Sequence, residues 1–368
     1  MKITAAVARE GQADFSFEAV DIDEPRADEI LVKVVGVGLC HTDMVAKTGA
    51  IGGLPAVLGH EGSGIVDKVG VSVTKVKPGD RVAISFRSCG ECVRCKEGQP
   101  AYCLTMPMLN YIGMRPDGTK ALRGSGGEQL ASNFFGQSSF ATYCLTYERN
   151  VVKVPDDVPL ELVGPLGCGV QTGAGGIMRS LACKPGSSLL ILGGGAVGLS
   201  AVMGAVIQGC STIIVLEPHE VRRKLAIELG ATHVIDPATA PDLIAALRAI
   251  LPHGVDYAFD TTGIPPLQQA TMGCLAPHGT FGIVGISPPG TPVPGDMTTV
   301  MTFGHTIKGI IEGDSEPDVF IPQMMDLYKA GRFPFDRLIR TYPFSEINRA
   351  IAEQHHGDCV KVVLLMDA

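Results

Sequence analysis

Four cysteines between positions 89 and 103 constrain this chain more than any other feature. The run Cys89-Gly90-Glu91-Cys92-Val93-Arg94-Cys95, followed after Tyr102 by Cys103, sets four thiols within fifteen residues. Two successive CxxC steps bring three sulfurs to one side of a tight loop, and the return of the chain supplies the fourth. Four thiolates with no open position predict a structural zinc, holding a lobe with too few apolar residues to fold alone. An iron–sulfur cluster or a redox dithiol would draw on the same residue type, but this spacing favours zinc.

A second metal-type pattern is spread along the chain. Cys40 stands in Gly38-Leu39-Cys40-His41-Thr42-Asp43, and His60 in Gly59-His60-Glu61-Gly62-Ser63-Gly64, each on a short loop after an apolar run. A thiolate and an imidazole are ligands that Zn²⁺ takes. Cys168, in Leu166-Gly167-Cys168-Gly169, is the candidate third, which leaves a fourth position open.

A length of 368 residues predicts about two domains, each with its own core. Hydrophobic residues at 45% and charged ones at 18% argue against disorder. A net charge of −8 argues against nucleic acid or an anionic membrane as partner. The opening residues read as a strand ending at Arg9 and Glu10 rather than a signal peptide, and no apolar run reaches ~18 residues. With eleven cysteines and no export signal, a reducing cytoplasm with thiolates committed to metal is expected.

Up to about Pro159 the pattern is β-leaning, with strands expected at 30–35, 63–69 and 81–84. The stretch 103–151 carries few regular signals and reads as a binding loop or lid. Its Phe134, Phe135 and Phe140 either line a pocket or fill the interior. From about Gly169 the periodicity changes. An apolar run at 188–192 enters Gly193-Gly194-Gly195-Ala196-Val197-Gly198, a helix-like stretch follows, and a second strand at 212–216 ends at Glu217, nineteen residues past Gly198. This strand–turn–helix–strand–acid order is what a dinucleotide site requires. Gly193, Gly195 and Gly198 let the backbone approach a pyrophosphate, and Glu217 would accept from the ribose hydroxyls. Glu217 would also repel a 2′-phosphate, favouring NAD over NADP, an effect tempered by Arg222 and Arg223. Further strands are expected at 232–235, 256–260, 279–285 and 306–311, a helix at 318–331, and a final strand at 360–366 returning to the first domain. The remaining cysteines, Cys144, Cys183, Cys210, Cys274 and Cys359, have no informative spacing.

Taken in this order, Cys40, His60-Glu61, the four-cysteine lobe, Cys168 and the glycine turn resemble the zinc-dependent medium-chain alcohol dehydrogenases over essentially the whole chain. The likeness is to the bacterial aryl (benzyl) alcohol dehydrogenases in particular, through the Cys40–Asp43 and Gly59–Gly64 motifs, Gln137-Ser138-Ser139-Phe140-Ala141-Thr142-Tyr143 and Gly164-Pro165-Leu166-Gly167-Cys168-Gly169. The resemblance implies an α/β chain: a GroES-like β-rich catalytic domain over 1–168, a Rossmann doubly wound parallel-sheet coenzyme domain over 169–312, and a return to the first domain over 313–368. It implies two zinc ions per chain, a catalytic one on Cys40, His60 and Cys168 and a structural one on Cys89, Cys92, Cys95 and Cys103.

By the same likeness Glu61 approaches the catalytic metal from behind or exchanges with water. Asp43 accepts from the free N–H of His60, and Thr42 receives the alcohol's proton. His41 takes a position often held by a cofactor-binding arginine, Arg222 helps hold the adenosine ribose, and Lys361 matches a pyrophosphate contact. Val45 departs from the pattern, because many members carry there the histidine that completes the proton relay. The implied reaction is NAD-dependent oxidation of a primary aromatic or allylic alcohol in a homodimer or homotetramer joined around 285–313. Two alternatives remain open. One is a glutathione-dependent formaldehyde dehydrogenase, which would need Arg115, Lys120 or Arg123 at the pocket mouth; the other is a non-catalytic dinucleotide-binding relative.

Overall fold

The computed structural model describes residues 1–366. Its chain divides into two units. One comprises Met1–Gly169, Glu316–Ala330 and the chain from Phe335 onward; the other comprises Val170–Ser315 and Gly331–Pro334.

The first unit is built on two β-sheets. The strand Glu29–Gly38 is central to the larger one: it pairs antiparallel with Gly62–Val69, with Tyr143–Tyr147 and with the C-terminal strand Lys361–Leu365. Most of its residues are buried, as its apolar runs 30–32 and 34–35 require, with Lys33 the one exposed position. The register Val363↔Gly38 carries the last strand to the mouth of the Cys40 loop, where the Leu39 N–H donates to the Val362 carbonyl at 3.0 Å. The smaller sheet runs Ala56–Val57, Lys2–Ala8, Ser16–Ile22, Leu122–Arg123, Gln129–Leu130. The stretch 103–151 is therefore less irregular than its sequence suggests. It contributes the short helix Met106–Asn110 and three strands, too brief for a periodicity to register.

The second unit carries a six-stranded, all-parallel sheet in the order His233–Ile235, Thr212–Leu216, Ser188–Leu192, Val255–Asp260, Leu275–Ile283, Thr306–Gly309. In chain order this is 3-2-1-4-5-6, the doubly wound arrangement of dinucleotide-binding folds. The strand Ser188–Leu192 is buried throughout and runs through the glycine turn into the helix Ala196–Gln208. The strand Leu275–Ile283 starts four residues before its expected position, and Thr306–Gly309 stops two residues short. Among the described residues no helix is long and apolar enough to cross a membrane.

Candidate active site

Cys40 caps the short helix His41–Lys47, and Asp43, in its first turn, folds back on it. Asp43 Oδ2 accepts from the Cys40 N–H at 3.0 Å, while Oδ1 accepts from the Gly59 N–H at 3.0 Å and meets His60 Nδ1 at 2.9 Å. One fully buried carboxylate thus ties together the two loops that carry the first two candidate ligands. A carboxylate only accepts, so the ring proton of His60 sits on Nδ1 and the lone pair on Nε2. That Nε2 is buried and completes no hydrogen bond. Ligand atoms of Cys40, His60, Glu61 and Cys168 all lie within 4.8 Å of one another. An orphaned imidazole nitrogen beside two thiols is the donor set of a zinc site, and the residues fit the metal.

Electrostatics agree. A hydrogen bond from Cys168, against the cost of burial, together with the charges of His60 and Lys361, holds the Cys40 thiol well below its ordinary pKa. Burial works against a charged His60, but the charges of Asp43 and Cys40 outweigh it and raise its pKa well above the ordinary value. The His60 shift reports anionic neighbours that attract a cation, a proton or a metal, and the Cys40 shift favours the thiolate that would ligate one.

Glu61 follows the ligand into the interior. Gly169 N–H donates to its Oε1 at 3.2 Å, and Lys361 Nζ forms an ion pair with Oε2 at 2.5 Å. Lys361 also donates to the Leu39 carbonyl at 2.9 Å and is 2% exposed. Burial, only partly offset by Lys361, leaves the Glu61 carboxyl above its usual range. Gly38 makes room for this pair, since a Cβ there would stand 1.9 Å from Glu61 Oε2. Lys361, which the resemblance matched to a pyrophosphate contact, here turns its ammonium to Glu61 and the Cys40 loop. The final strand delivers it there.

The aromatic residues of 134–140 do not line an open pocket. Phe135 stacks on the His60 ring at 4.4 Å and 24°, and Phe134 meets it edge-on at 5.4 Å. Phe140 is fully buried and packs edge-on against Phe15 at 5.7 Å. Their function is to fix the imidazole and fill the core. Gln137 completes the clamp: Nε2 donates to the His60 carbonyl at 2.8 Å and Oε1 accepts from the Gly62 N–H at 3.0 Å. Thr42 Oγ1 lies 3.7 Å from Cys40 Sγ, Val45 is half-buried, and His41 is exposed. Arg115 is no candidate for a pocket mouth. It is 2% exposed and forks onto Glu29 at 2.6 and 2.9 Å and onto Asp23 at 2.9 Å. Arg123 pairs with Asp23 at 2.5 Å, and Lys120 is half-buried.

The sulfurs of Cys89, Cys92, Cys95 and Cys103 also lie within 4.8 Å of one another. Gly90, at φ +77°, makes the first turn. Backbone N–H groups of Cys92 and Cys89 point at the sulfurs of Cys89 and Cys103, both at 3.3 Å. Backbone donors from Leu104 and Cys95 bring Cys92 down to about 6, whereas burial, then the neighbouring thiols, push Cys95 up to about 12. Four thiols this close shed all their protons only around a cation.

In the second unit Gly193 takes φ +94°, and a Cβ on Gly198 would stand 1.8 Å from the Gly193 carbonyl, so the turn and the helix need glycine. A Cβ on Gly195 would meet nothing within 4 Å, an open space at the helix N-terminus. Glu217 is 2% exposed; it accepts from the Gly194 N–H at 2.6 Å and the His219 N–H at 2.8 Å, which leaves half of its acceptor capacity. Arg222 is half-buried. Its neighbour Arg223 pins the loop, donating to the Glu217 and Pro218 carbonyls at 2.8 and 2.7 Å and pairing with Asp236 at 2.8 Å.

These features have close counterparts. A family model described as zinc-binding dehydrogenase matches residues 196–330, and one described as alcohol dehydrogenase GroES-like domain matches residues 26–156. The chain is 49% identical over 362 residues to geraniol dehydrogenase of Castellaniella defragrans, covering 98% of this chain and 97% of that protein. It is 33% identical over 374 residues to S-(hydroxymethyl)glutathione dehydrogenase of Komagataella pastoris, covering 100% and 98%. The crystal structure of benzyl alcohol dehydrogenase from Acinetobacter calcoaceticus matches at TM-score 0.95 and 43% identity over 100% of both chains. With its GroES-like and Rossmann domains and its two candidate zinc sites, the chain belongs to the zinc-dependent medium-chain alcohol dehydrogenases.

Proposed function

We propose that this enzyme oxidises a primary allylic or aromatic alcohol to its aldehyde, with NAD as hydride acceptor. The observation that carries the reading is the buried, unpartnered Nε2 of His60, aimed among Cys40, Cys168 and Glu61 and held there by Asp43. When bound, zinc supplies the positive charge that lowers an alcohol's pKa, and NAD supplies the acceptor. Cys40, His60 and Cys168 hold the metal, and Asp43 and Phe135 fix the imidazole so that its lone pair faces inward. Thr42 offers the hydroxyl beside Cys40 that accepts the substrate's proton. Val45 cannot carry that proton further, so it leaves through water or another base. Glu61, tethered by Lys361, would offer a carboxylate within reach of the Cys40–His60–Cys168 site should a metal exchange a ligand there.

On the cofactor side, Gly193, Gly195 and Gly198 admit the pyrophosphate to the helix N-terminus, and the spare acceptor positions of Glu217 take the ribose hydroxyls. The buried carboxylate disfavours a 2′-phosphate. Arg222 and His41 complete the cofactor contacts. The exposed Met297, Met301 and Phe303 beside the edge strand Thr306–Gly309 support pairing of this unit in a dimer or tetramer, and eleven cysteines with no disulfide among the described residues support a cytoplasmic setting.

Geraniol and benzyl alcohol are named for two relatives, and S-(hydroxymethyl)glutathione for a third at lower identity. The burial of Arg115 in an ion-pair network weighs against the glutathione adduct. Steady-state comparison of the three substrates with NAD and NADP tests the reading. The two alcohols with NAD should give the highest kcat/KM; preference for the adduct, or for NADP, overturns it.

A further inference from the structure

Two cysteines outside both metal clusters, unremarkable by spacing, are brought together in the second unit. Cys183 lies in the loop before the strand Ser188–Leu192, and Cys210 follows the helix Ala196–Gln208. The two loops are laced side by side. The Gly186 N–H donates to the Gly209 carbonyl at 2.7 Å, the Ser211 N–H to the Ser187 carbonyl at 2.9 Å, and Gln208 Nε2 to the Cys183 carbonyl at 3.2 Å. Ser187 Oγ lies 3.6 Å from Cys210 Sγ, and each of the two thiols is the largest single influence on the other's pKa. Cys183 is 1% exposed and Cys210 is half-buried, so only one of the pair meets solvent.

We propose that Cys183 and Cys210 are a reversible oxidation site, in which Cys210 reacts with a peroxide and Cys183 then closes a disulfide. The hydrogen bond from Cys183, working against burial and the nearby charge of Asp256 and helped by Ser187, brings Cys210 down to about 7. Part of it is therefore thiolate at neutral pH, the nucleophilic form. Its sulfur attacks one peroxide oxygen, the O–O bond breaks, and the departing hydroxide takes a proton to leave as water, giving a sulfenic acid. That step removes the negative charge which, with burial second, holds the Cys183 thiol far above its usual range. Cys183 can then lose its proton as its sulfur displaces hydroxide from Cys210, forming the S–S bond and a second water. Two electrons pass from the thiols to the peroxide, and a small thiol restores the pair. The resulting ring encloses the strand, the glycine turn and the helix of the cofactor-type fold, and restricts them in the unfolded chain. Cys144 and Cys274 serve as internal controls, because burial pushes both up to about 12.

The test uses the zinc-loaded enzyme, brief exposure to equimolar hydrogen peroxide, alkylation of remaining thiols, and mass spectrometry of a non-reducing digest. A cross-linked peptide joining Cys183 to Cys210, lost on treatment with dithiothreitol, is expected, with Cys144 and Cys274 unoxidised. In Cys183→Ser, dimedone should trap a sulfenic acid on Cys210, and in Cys210→Ser the remaining Cys183 should stay reduced. The inference is overturned if Cys210 remains alkylatable while other cysteines oxidise, if it pairs with another cysteine, or if Cys183 oxidises equally fast in Cys210→Ser.

Discussion

The two cysteine-containing clusters gather the same number of donors into the same span, four side chains within 4.8 Å, by opposite means. The Cys89–Cys103 lobe takes all its donors from fifteen consecutive residues, all of one type, with backbone N–H groups as main support. The Cys40–His60–Cys168 cluster draws on three loops, mixes sulfur, nitrogen and carboxylate, and is wrapped by Asp43, Lys361, Gln137 and Phe135. A cluster that only holds shape needs correct spacing and little else. A cluster that performs chemistry needs neighbours that set the protonation and direction of each ligand, and those neighbours come from all over the chain.

That contrast can be broken experimentally. Removing one ligand of the assembled cluster, as in Cys40→Ala, should cost about 1,000-fold or more in kcat/KM while the lobe keeps its metal. Equal loss of both metals would show that the clusters are not independent. Lys361→Met should come next, because it strands the buried Glu61 carboxylate; the expected loss is about 3–5 kcal/mol in denaturant unfolding, partly recovered by adding Glu61→Gln. No change would mean the pair is solvated in solution. Asp43→Asn should leave the fold intact and weaken metal binding at this cluster by about 10–100-fold, read by competition with a chelator, without affecting the lobe.

The smallest effect belongs to the lobe and is a pH dependence. Cys95, pushed up to about 12, carries its proton across the working range, so zinc must displace it. Affinity should rise about tenfold per pH unit for that one proton, and fall more steeply below about 6, where Cys92 also becomes protonated. A flat zinc affinity between pH 6 and 8 would contradict this reading.

What could be read from the residues alone follows the same division. The lobe and the glycine turn were legible because their chemistry is local: four thiols at fixed intervals, and glycines between a buried run and a helix-like stretch ending at Glu217. The assembled cluster was legible in its three ligands from residue type and, through the family resemblance, in the Asp43–His60 contact. The pairing of Glu61 with Lys361 depends on an antiparallel register, Val363↔Gly38, that joins residues three hundred positions apart. No spacing rule reports it. Phe134 and Phe135 were ambiguous for a related reason, since an aromatic residue in an irregular loop does not reveal whether it faces a cavity or the ring of a ligand. Arg115 is a candidate pocket-mouth cation by residue type alone, and its partners Glu29 and Asp23, distant in sequence, are what bury it.

The most direct test of the central claim is anomalous diffraction at the zinc edge, on crystals of a preparation whose turnover of geraniol or benzyl alcohol has been measured. Two peaks per chain are predicted, one among the four lobe sulfurs and one at bonding distance from Cys40 Sγ, His60 Nε2 and Cys168 Sγ. An active preparation with a peak in the lobe and none at His60 would contradict the account.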